Sequence, residues 1–441
     1  MKKKKWASTN INGVFHHGRS RILLAALLVA MAMAYTPVAR AGGIVSSCDE
    51  ASLLTAVSGG GTVTFKCSGT ITLTATITIL ADTTIDGTGQ NVTVSGGDAV
   101  QVLIVPAGVK LSLKKIIIAN GSSISVGGGT FNQGALTVTS VTFSGNKAFG
   151  GGGIFNDYQA TLNLSNSTFI GNSEYSGSYY GGGGILNNGT LTVTDSTFTG
   201  NSAYSGGGIE NGYSATLNLS NSTLAGNIAQ SDGGGLSNSQ ATLIVTNSTF
   251  SGNSAGYYGG GVFSGVPSAS WPSVSNSTLF GNSAQFGGGG IWDVFGVLTL
   301  RNTILANSLS GGDCAPSRID GGGNLDTDGT CGGTTSDPFL GPLQNNGGPT
   351  QTMAISMASP AFAGANPANC PATDQRGVLR PQFLSCDIGA YEFDTANSLL
   401  TAVRKQYPHF DSHGKPTRSD DIDRSCIGFG RRTQFAQLAG D

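Results

Sequence analysis

Residues 151–172 read Gly151-Gly-Gly-Ile-Phe-Asn-Asp-Tyr-Gln-Ala-Thr-Leu-Asn-Leu-Ser-Asn-Ser-Thr-Phe-Ile-Gly-Asn172, and most of this pattern returns along the chain. A glycine run precedes an aliphatic residue at Ile154, Ile185, Ile209, Leu236, Val262 and Ile291, at intervals of 31, 24, 27, 26 and 29. Two residues after each aliphatic stand Asn156, Asn187, Asn211, Asn238, Ser264 and Asp293, and Asn132 fills the same slot earlier. A second asparagine series, Asn120, Asn146, Asn172, Asn201, Asn227, Asn253, Asn282 and Asn307, is spaced by 25 to 29. Three residue types therefore share one period of about 26, the signature of a repeat architecture.

Within each period the alternation is two-residue. Leu162 and Leu164 bracket a polar residue, as do Leu191 and Val193, Leu217 and Leu219, and Leu243 and Val245. Short alternating runs rich in Thr and Val argue for half-buried strands. Three fit one repeat: around Thr161–Leu164, Ser167–Ile170 and Gly152–Phe155. So short a unit cannot bury its apolar face alone. Wound into a coil and stacked about 4.8 Å apart, each strand pairs with its counterparts above and below. Inward Leu, Val and Phe then stack on their equivalents, and asparagine amides bond to one another along the axis. Asn and Gly supply the left-handed corners. The expectation is an all-β, single-stranded right-handed parallel β-helix (a solenoid) of about 11–12 coils with three short strands each, its hand following the crossover rule. A propeller would need a repeat nearer 40 residues.

Outside the repeats, residues 1–41 carry seven Lys or Arg and no acid, with an apolar run from Ile22 to Ala34 and the small-residue site Ala39-Arg40-Ala41. This is a secretory signal pattern, too short to span a membrane as a helix. The remainder holds 16 bases against 25 acids, a balance of −9 with no basic patch, which argues against nucleic-acid binding. No transmembrane span is expected in the mature chain, and a monomer is expected. Cys48 and Cys67, Cys314 and Cys331, and Cys370 and Cys386 form local pairs 16 to 19 residues apart, read as disulfides of an oxidising compartment, with Cys426 left over. Domain boundaries follow: 1–41 signal, 42–310 β-helix, 311–393 C-terminal module, 394–441 a polar tail with 13 charges, expected to be disordered.

Several stretches carry a family resemblance. Phe143-Ser-Gly-Asn146, Phe169-Ile-Gly-Asn172, Phe198-Thr-Gly-Asn201 and Phe250-Ser-Gly-Asn253, with Gly-Gly-Gly-Ile at 151–154, 182–185 and 206–209, resemble the repeats of polymorphic outer-membrane proteins. The span from Cys48 to Gly87 is similar to the opening coils of bacterial pectin-lyase-like β-helix proteins. Gly341-Pro-Leu-Gln-Asn-Asn-Gly-Gly-Pro-Thr350, Asp374-Gln-Arg-Gly377 and Cys386-Asp-Ile-Gly-Ala-Tyr-Glu392 resemble the choice-of-anchor module of bacterial surface β-helix proteins. Ser359-Pro-Ala-Phe-Ala-Gly-Ala365 lacks the acid usual in that module. The resemblance implies a β-helix fold and a destination at the cell surface, outer membrane or exterior; the role expected there is adhesion or glycan binding, for which the aromatic residues before the glycine runs are the feature in favour.

For catalysis, no residue set is expected. β-Helix lyases need clustered carboxylates with an Arg or Lys base, and hydrolases need paired carboxylates. Between residues 121 and 310 the charges are Lys147, Asp157, Glu174, Asp195, Glu210, Asp232, Asp293 and Arg301, at differing offsets within the repeat. Asp293 and Arg301 come nearest to a pair should the alternative, a polysaccharide lyase or glycoside hydrolase, hold. Asp326 and Asp328, in an acidic loop with Asp313, Asp320 and Asp337, have a calcium-loop flavour, and a structural calcium ion is the one cofactor suggested. Asp374, Arg376, Asp387 and Glu392 read as a salt-bridged cap over the last coil. Just before the glycine runs sit Phe149, Tyr180, Tyr204, Tyr258 and Phe286, once per coil except at Asp232. These form either an external aromatic strip for glycans or a neighbouring surface, or an internal stack that packs the corner. The Asn-Ser-Thr triplets at 166, 221, 247 and 276 recur with the repeat and read as turns rather than glycosylation acceptors.

Overall fold

The computed structural model describes residues 42–266, 272–316 and 320–394. The signal, the tail and Cys426 lie outside the described residues. The chain winds through stacked turns whose strands build long parallel sheets of 11, 12 and 10 strands. Sheet A takes strands such as Thr161–Ser165, sheet B those such as Thr168–Ile170, and sheet C those such as Ile185–Asn187. Ten turns carry all three, and partial turns at the ends add further layers. A fourth sheet, D, joins seven turns with very short strands such as Ser202–Ala203, inserted after the Asn corner where only a bend was foreseen.

Register is kept by identity. In sheet A, Leu162 pairs with Leu191, then Leu217, then Leu243, all fully buried. In sheet B, Phe143 stacks on Phe169 and Phe169 on Phe198, each at 4.8 Å between ring centroids, so the rings sit at the strand repeat. A one-residue slip would turn every inward side chain outward, which fixes the register wherever these columns run.

Two amide ladders complete the interior. Asn146, Asn172, Asn201, Asn227, Asn253 and Asn282 pass Nδ2 to the next Oδ1 at 2.9–3.0 Å. Each of the middle rungs also donates to a sheet B carbonyl, as Asn201 does to that of Phe169 at 3.0 Å. The second ladder runs Asn132, Asn156, Asn187, Asn211 and Asn238 at 2.7–2.8 Å. Amides succeed here because each offers a donor and an acceptor in line with the axis, leaving no buried polar atom unpaired between rungs. At the glycine corner the backbones of adjacent turns approach so closely that a Cβ on Gly183 would lie 2.5 Å from the Gly207 carbonyl oxygen. Asn166, Asn221, Asn247 and Asn276 all adopt φ of 48–50°, the left-handed turn that accounts for their recurrence.

The ends are closed differently. Helix α1, Glu50–Val57, caps the first turn with Leu53, Ala56 and Val57, and Asp49 caps its N-terminus by accepting from the Ser52 amide at 2.8 Å. It was not anticipated, being a single short amphipathic stretch outside the repeats. At the other end stacking continues past residue 310, with Cys314–Ala315, Leu325–Asp326 and Thr334–Thr335 still pairing in parallel. The rest of the C-terminal module does not cap the last coil as expected. It runs back along sheet B as a strap: Gln375 bonds Thr223 and Thr249, the Gln351 carbonyl accepts from Thr223, and the Ala390 amide donates to Thr278. The outward threonines of those turns are polar and unfilled, so a flat chain can lie on them. Disulfides join Cys48 to Cys67, Cys314 to Cys331 and Cys370 to Cys386. No helix among the described residues is long and apolar enough to cross a membrane.

Candidate functional site

The expected aromatic positions lie at the outer corner between sheets D and C. The glycine corner fixes the columns: Gly182 N donates to the Ser205 carbonyl, Gly206 N to that of Asp232, Gly233 N to that of Tyr258 and Gly259 N to that of Gly287, which aligns Gly182, Gly206, Gly233, Gly259 and Gly288. The column just outside the glycine corner is therefore Phe149, Tyr180, Tyr204, Ser231, Tyr257 and Phe286. Tyr258 is one position on, bridged to Gly287, and its ring lies 4.1 Å from that of Trp292. The expected strip is corrected there, because Tyr257-Tyr258 offers two candidates and the sequence alone does not say which is in register. The residue that interrupts the column is Ser231, with Asp232 beside it in the next column.

These rings are external. Phe149 is 38% exposed, Tyr180 66% and Phe286 56%, whereas the stacked Phe143, Phe169 and Phe198 are wholly enclosed. Tyr257 stacks on Phe286 at 5.4 Å, and Tyr179, exposed, meets Tyr204 edge-on at 4.8 Å. Phe149, Gly177, Ser178, Tyr179 and Tyr180 bound a cleft of about 420 Å³. On the adjoining outer face of sheet C, Phe131, Phe155, Leu186, Glu210, Ser237, Phe263 and Trp292 follow one another turn by turn.

Glu174, which the spacing left without a role, organises this corner. Its carboxylate accepts the amides of Tyr180 at 2.9 Å, Gly181 at 3.0 Å and Tyr204 at 2.5 Å, pinning the longer loop of its turn. After Ser123 its column otherwise reads Ala148, Ala203, Ala229, Ala255 and Ala284. A charge in an alanine column, in the turn with the 31-residue interval, is the signal that could have found it.

Glu210 is covered as well. Ser205 and Ser239 donate to its two oxygens at 3.0 and 2.8 Å, and burial pushes its carboxyl up to about 7, with the Asp232 charge adding to the rise. Asp232 is half-buried, accepts from the Ser231 hydroxyl at 2.8 Å and the Tyr258 amide at 3.1 Å, and is also raised by burial. Offsets within the repeat hid this pair, since Glu210 projects from sheet C and Asp232 from the preceding corner.

Asp293 and Arg301 are not brought together as a catalytic pair. Asp293 points into the solenoid at the end of the second ladder, wholly buried and accepting from the Leu298 amide at 2.7 Å. Arg301 stands half-exposed on sheet A. Asp326 and Asp328 do converge, with Asp313, so that one carboxyl oxygen from each lies within 4.8 Å of the others, the one such group among the described residues. This hard oxygen set can hold a cation such as calcium. The same carboxylates already accept the amides of Cys331, Thr330, Thr327 and Ser308, and burial raises Asp326 to about 6. Asp374, Arg376, Asp387 and Glu392 share a buried network with Arg380: Arg376 meets Asp374 at 2.8 Å and Arg380 meets Glu392 at 3.5 Å. It ties the strap's own segments together, through the carbonyls of Asn346, Asp387, Gly389 and Glu392.

No curated protein matches the chain. Among solved structures, the crystal structure of pectate lyase Pel9A is similar at a TM-score of 0.47 and 14% identity, over 81% of this chain and 98% of that chain. The family model described as the right handed beta helix region matches residues 131–309, the turns that carry both asparagine ladders and the aromatic corner, and its hand is the one the crossover rule requires.

Proposed function

We propose that the protein is exported and acts as a monomer at a cell surface or outside the cell, binding glycan chains along the aromatic outer corner without changing them. One observation carries this reading: exposed Phe149 and Tyr180 and half-buried Tyr204 stand on three successive turns, with exposed Tyr257 and Phe286 on two more. Rings repeated about every 4.8 Å along a rigid axis offer sugar faces an extended platform at low entropic cost. The signal pattern of residues 1–41 and the three disulfides support export. The test is a glycan array and cell-surface binding assay on the mature protein, beside a variant carrying Tyr180→Ala, Tyr204→Ala and Tyr257→Ala. Binding falls at least tenfold in the variant; unchanged binding rejects the reading.

A second reading, cleavage of a polysaccharide, draws on the Glu210–Asp232 pair, two carboxyls whose surroundings differ in burial. It requires release of new chain ends that disappears in Glu210→Gln.

A further inference from the structure

We infer that the glycan held at this corner carries free amines, with Asp232 receiving a sugar ammonium in the gap between two aromatic platforms. The inference rests on the glycan-binding reading and adds the ligand's charge to it.

The gap is specific. Tyr204 and Tyr257 lie two turns apart, about 10 Å, and the turn between them offers Ser231 and Asp232 in place of rings. Asp232 is held from two sides, by the Ser231 hydroxyl and the Tyr258 amide, and remains partly open to solvent. Behind it lie Glu210, 5% exposed, and Ser237, its partner one turn on, wholly buried with its hydroxyl beside the Glu210 carboxyl. Asp232 is thus the one carboxylate of this pair that reaches the stacking surface, with Glu210 enclosed behind it.

Charge selects the occupant. Between Lys147 and Arg301 the chain contains six acids, Asp157, Glu174, Asp195, Glu210, Asp232 and Asp293, and no Lys or Arg. A polyuronate or sulfated chain laid between Tyr204 and Tyr257 would meet Asp232 and no base, the lysine of this corner, Lys147, standing over the Tyr175 ring beside Phe149. A neutral chain would stack but cover the Asp232 charge without supplying a counter-charge, at the cost of desolvating a carboxylate. An ammonium group satisfies it, and the burial that raises both carboxyls is offset by a cation brought between them.

The experiment compares fully deacetylated chito-oligosaccharide, its N-acetylated counterpart and oligogalacturonate by calorimetry on the mature protein, at mildly acidic pH and two salt concentrations. The amine-bearing chain binds about tenfold more tightly than the acetylated one, the size of one charge-assisted hydrogen bond. High salt narrows that ratio. Asp232→Asn, which keeps an acceptor for the Tyr258 amide, brings it to about one, with circular dichroism confirming the fold. The salt dependence of the unmodified protein tests the same point without a variant. Equal binding of the two chains, a ratio that survives Asp232→Asn, or tighter binding of oligogalacturonate overturns the inference while leaving the glycan reading intact. Absence of binding by all three chains overturns both.

Discussion

The columns inside the solenoid and the columns on its outer corner have the same period but opposite habits. Inside, position after position repeats the same residue: Asn146 to Asn282 is asparagine at every rung, and sheet B stacks Phe or Leu. Outside, the corresponding columns change from turn to turn, as in Gly150, Gly181, Ser205, Asp232, Tyr258 and Gly287. The interior repeats because each residue there completes its neighbours' bonds, so a single change leaves two turns unsatisfied. The exterior is free of that constraint, and the turns where it departs from its own consensus are where a ligand would meet something specific.

The contrast is broken most forcefully from inside. Asn201→Ala removes the acceptor of both the Asn172 side chain and backbone amide, and two donor bonds to Asn227 and the Phe169 carbonyl. It is expected to cost about 3–5 kcal/mol in urea unfolding, in the range of a large core truncation such as Phe198→Ala. Tyr180→Ala, on the exposed column, costs less than about 1 kcal/mol in the same measurement. Equal losses at the two sites would end the distinction between scaffold and surface.

The next effect sharpens the comparison at a residue that belongs to both regions, since Glu210 sits on the outer face yet is enclosed. Its carboxyl, ordinarily near 4.5, is raised to about 7 by burial. The native state therefore holds this proton more firmly than the unfolded chain. That contribution is complete below about pH 4.5 and is lost as pH rises through 7. Roughly 3 kcal/mol of stability, as an order of magnitude, disappears across that window. Asp387, raised to about 6 by burial, acts in the same sense over a lower range. Glu210→Gln should flatten the upper part of the profile, so that wild type and variant diverge above pH 7. Parallel profiles up to pH 8 in thermal unfolding would show that the carboxyl ionises without cost.

How much of this was legible depended on repetition. The solenoid, the sheet A and B strands, both ladders and the three disulfides follow from residues that recur or pair locally. What repetition could not supply was anything occurring once. Helix α1 has no second copy to reveal a period. The strap crosses from residue 375 to Thr223, and such a contact has no local mark in the chain. The choice between Tyr257 and Tyr258 needed the backbone register, because either spacing lies within the variation of the repeat. Glu174 and Glu210 were visible as charges but not as partners, since sheets D and C add different offsets to residues that meet at one corner.

The smallest expected effect concerns Glu174, where one substitution restores the consensus. Glu174→Ala makes its turn match the alanines above and below it, so the solenoid itself should lose less than about 1 kcal/mol. The loop it holds should not be spared. The amides of Tyr180, Gly181 and Tyr204 lose their common acceptor, and hydrogen exchange at these three should speed at least tenfold while the ladder amides of Asn172 and Asn201 keep their protection. A local opening of this kind would also weaken glycan binding by loosening Tyr179 and Tyr180, with no change in the global unfolding midpoint. If exchange at the three amides is unaltered, the loop is held by its ring contacts, and the carboxylate is a passenger. If the ladder amides open as well, Glu174 belongs to the scaffold, and the outer corner is less independent of the interior than its changing columns imply.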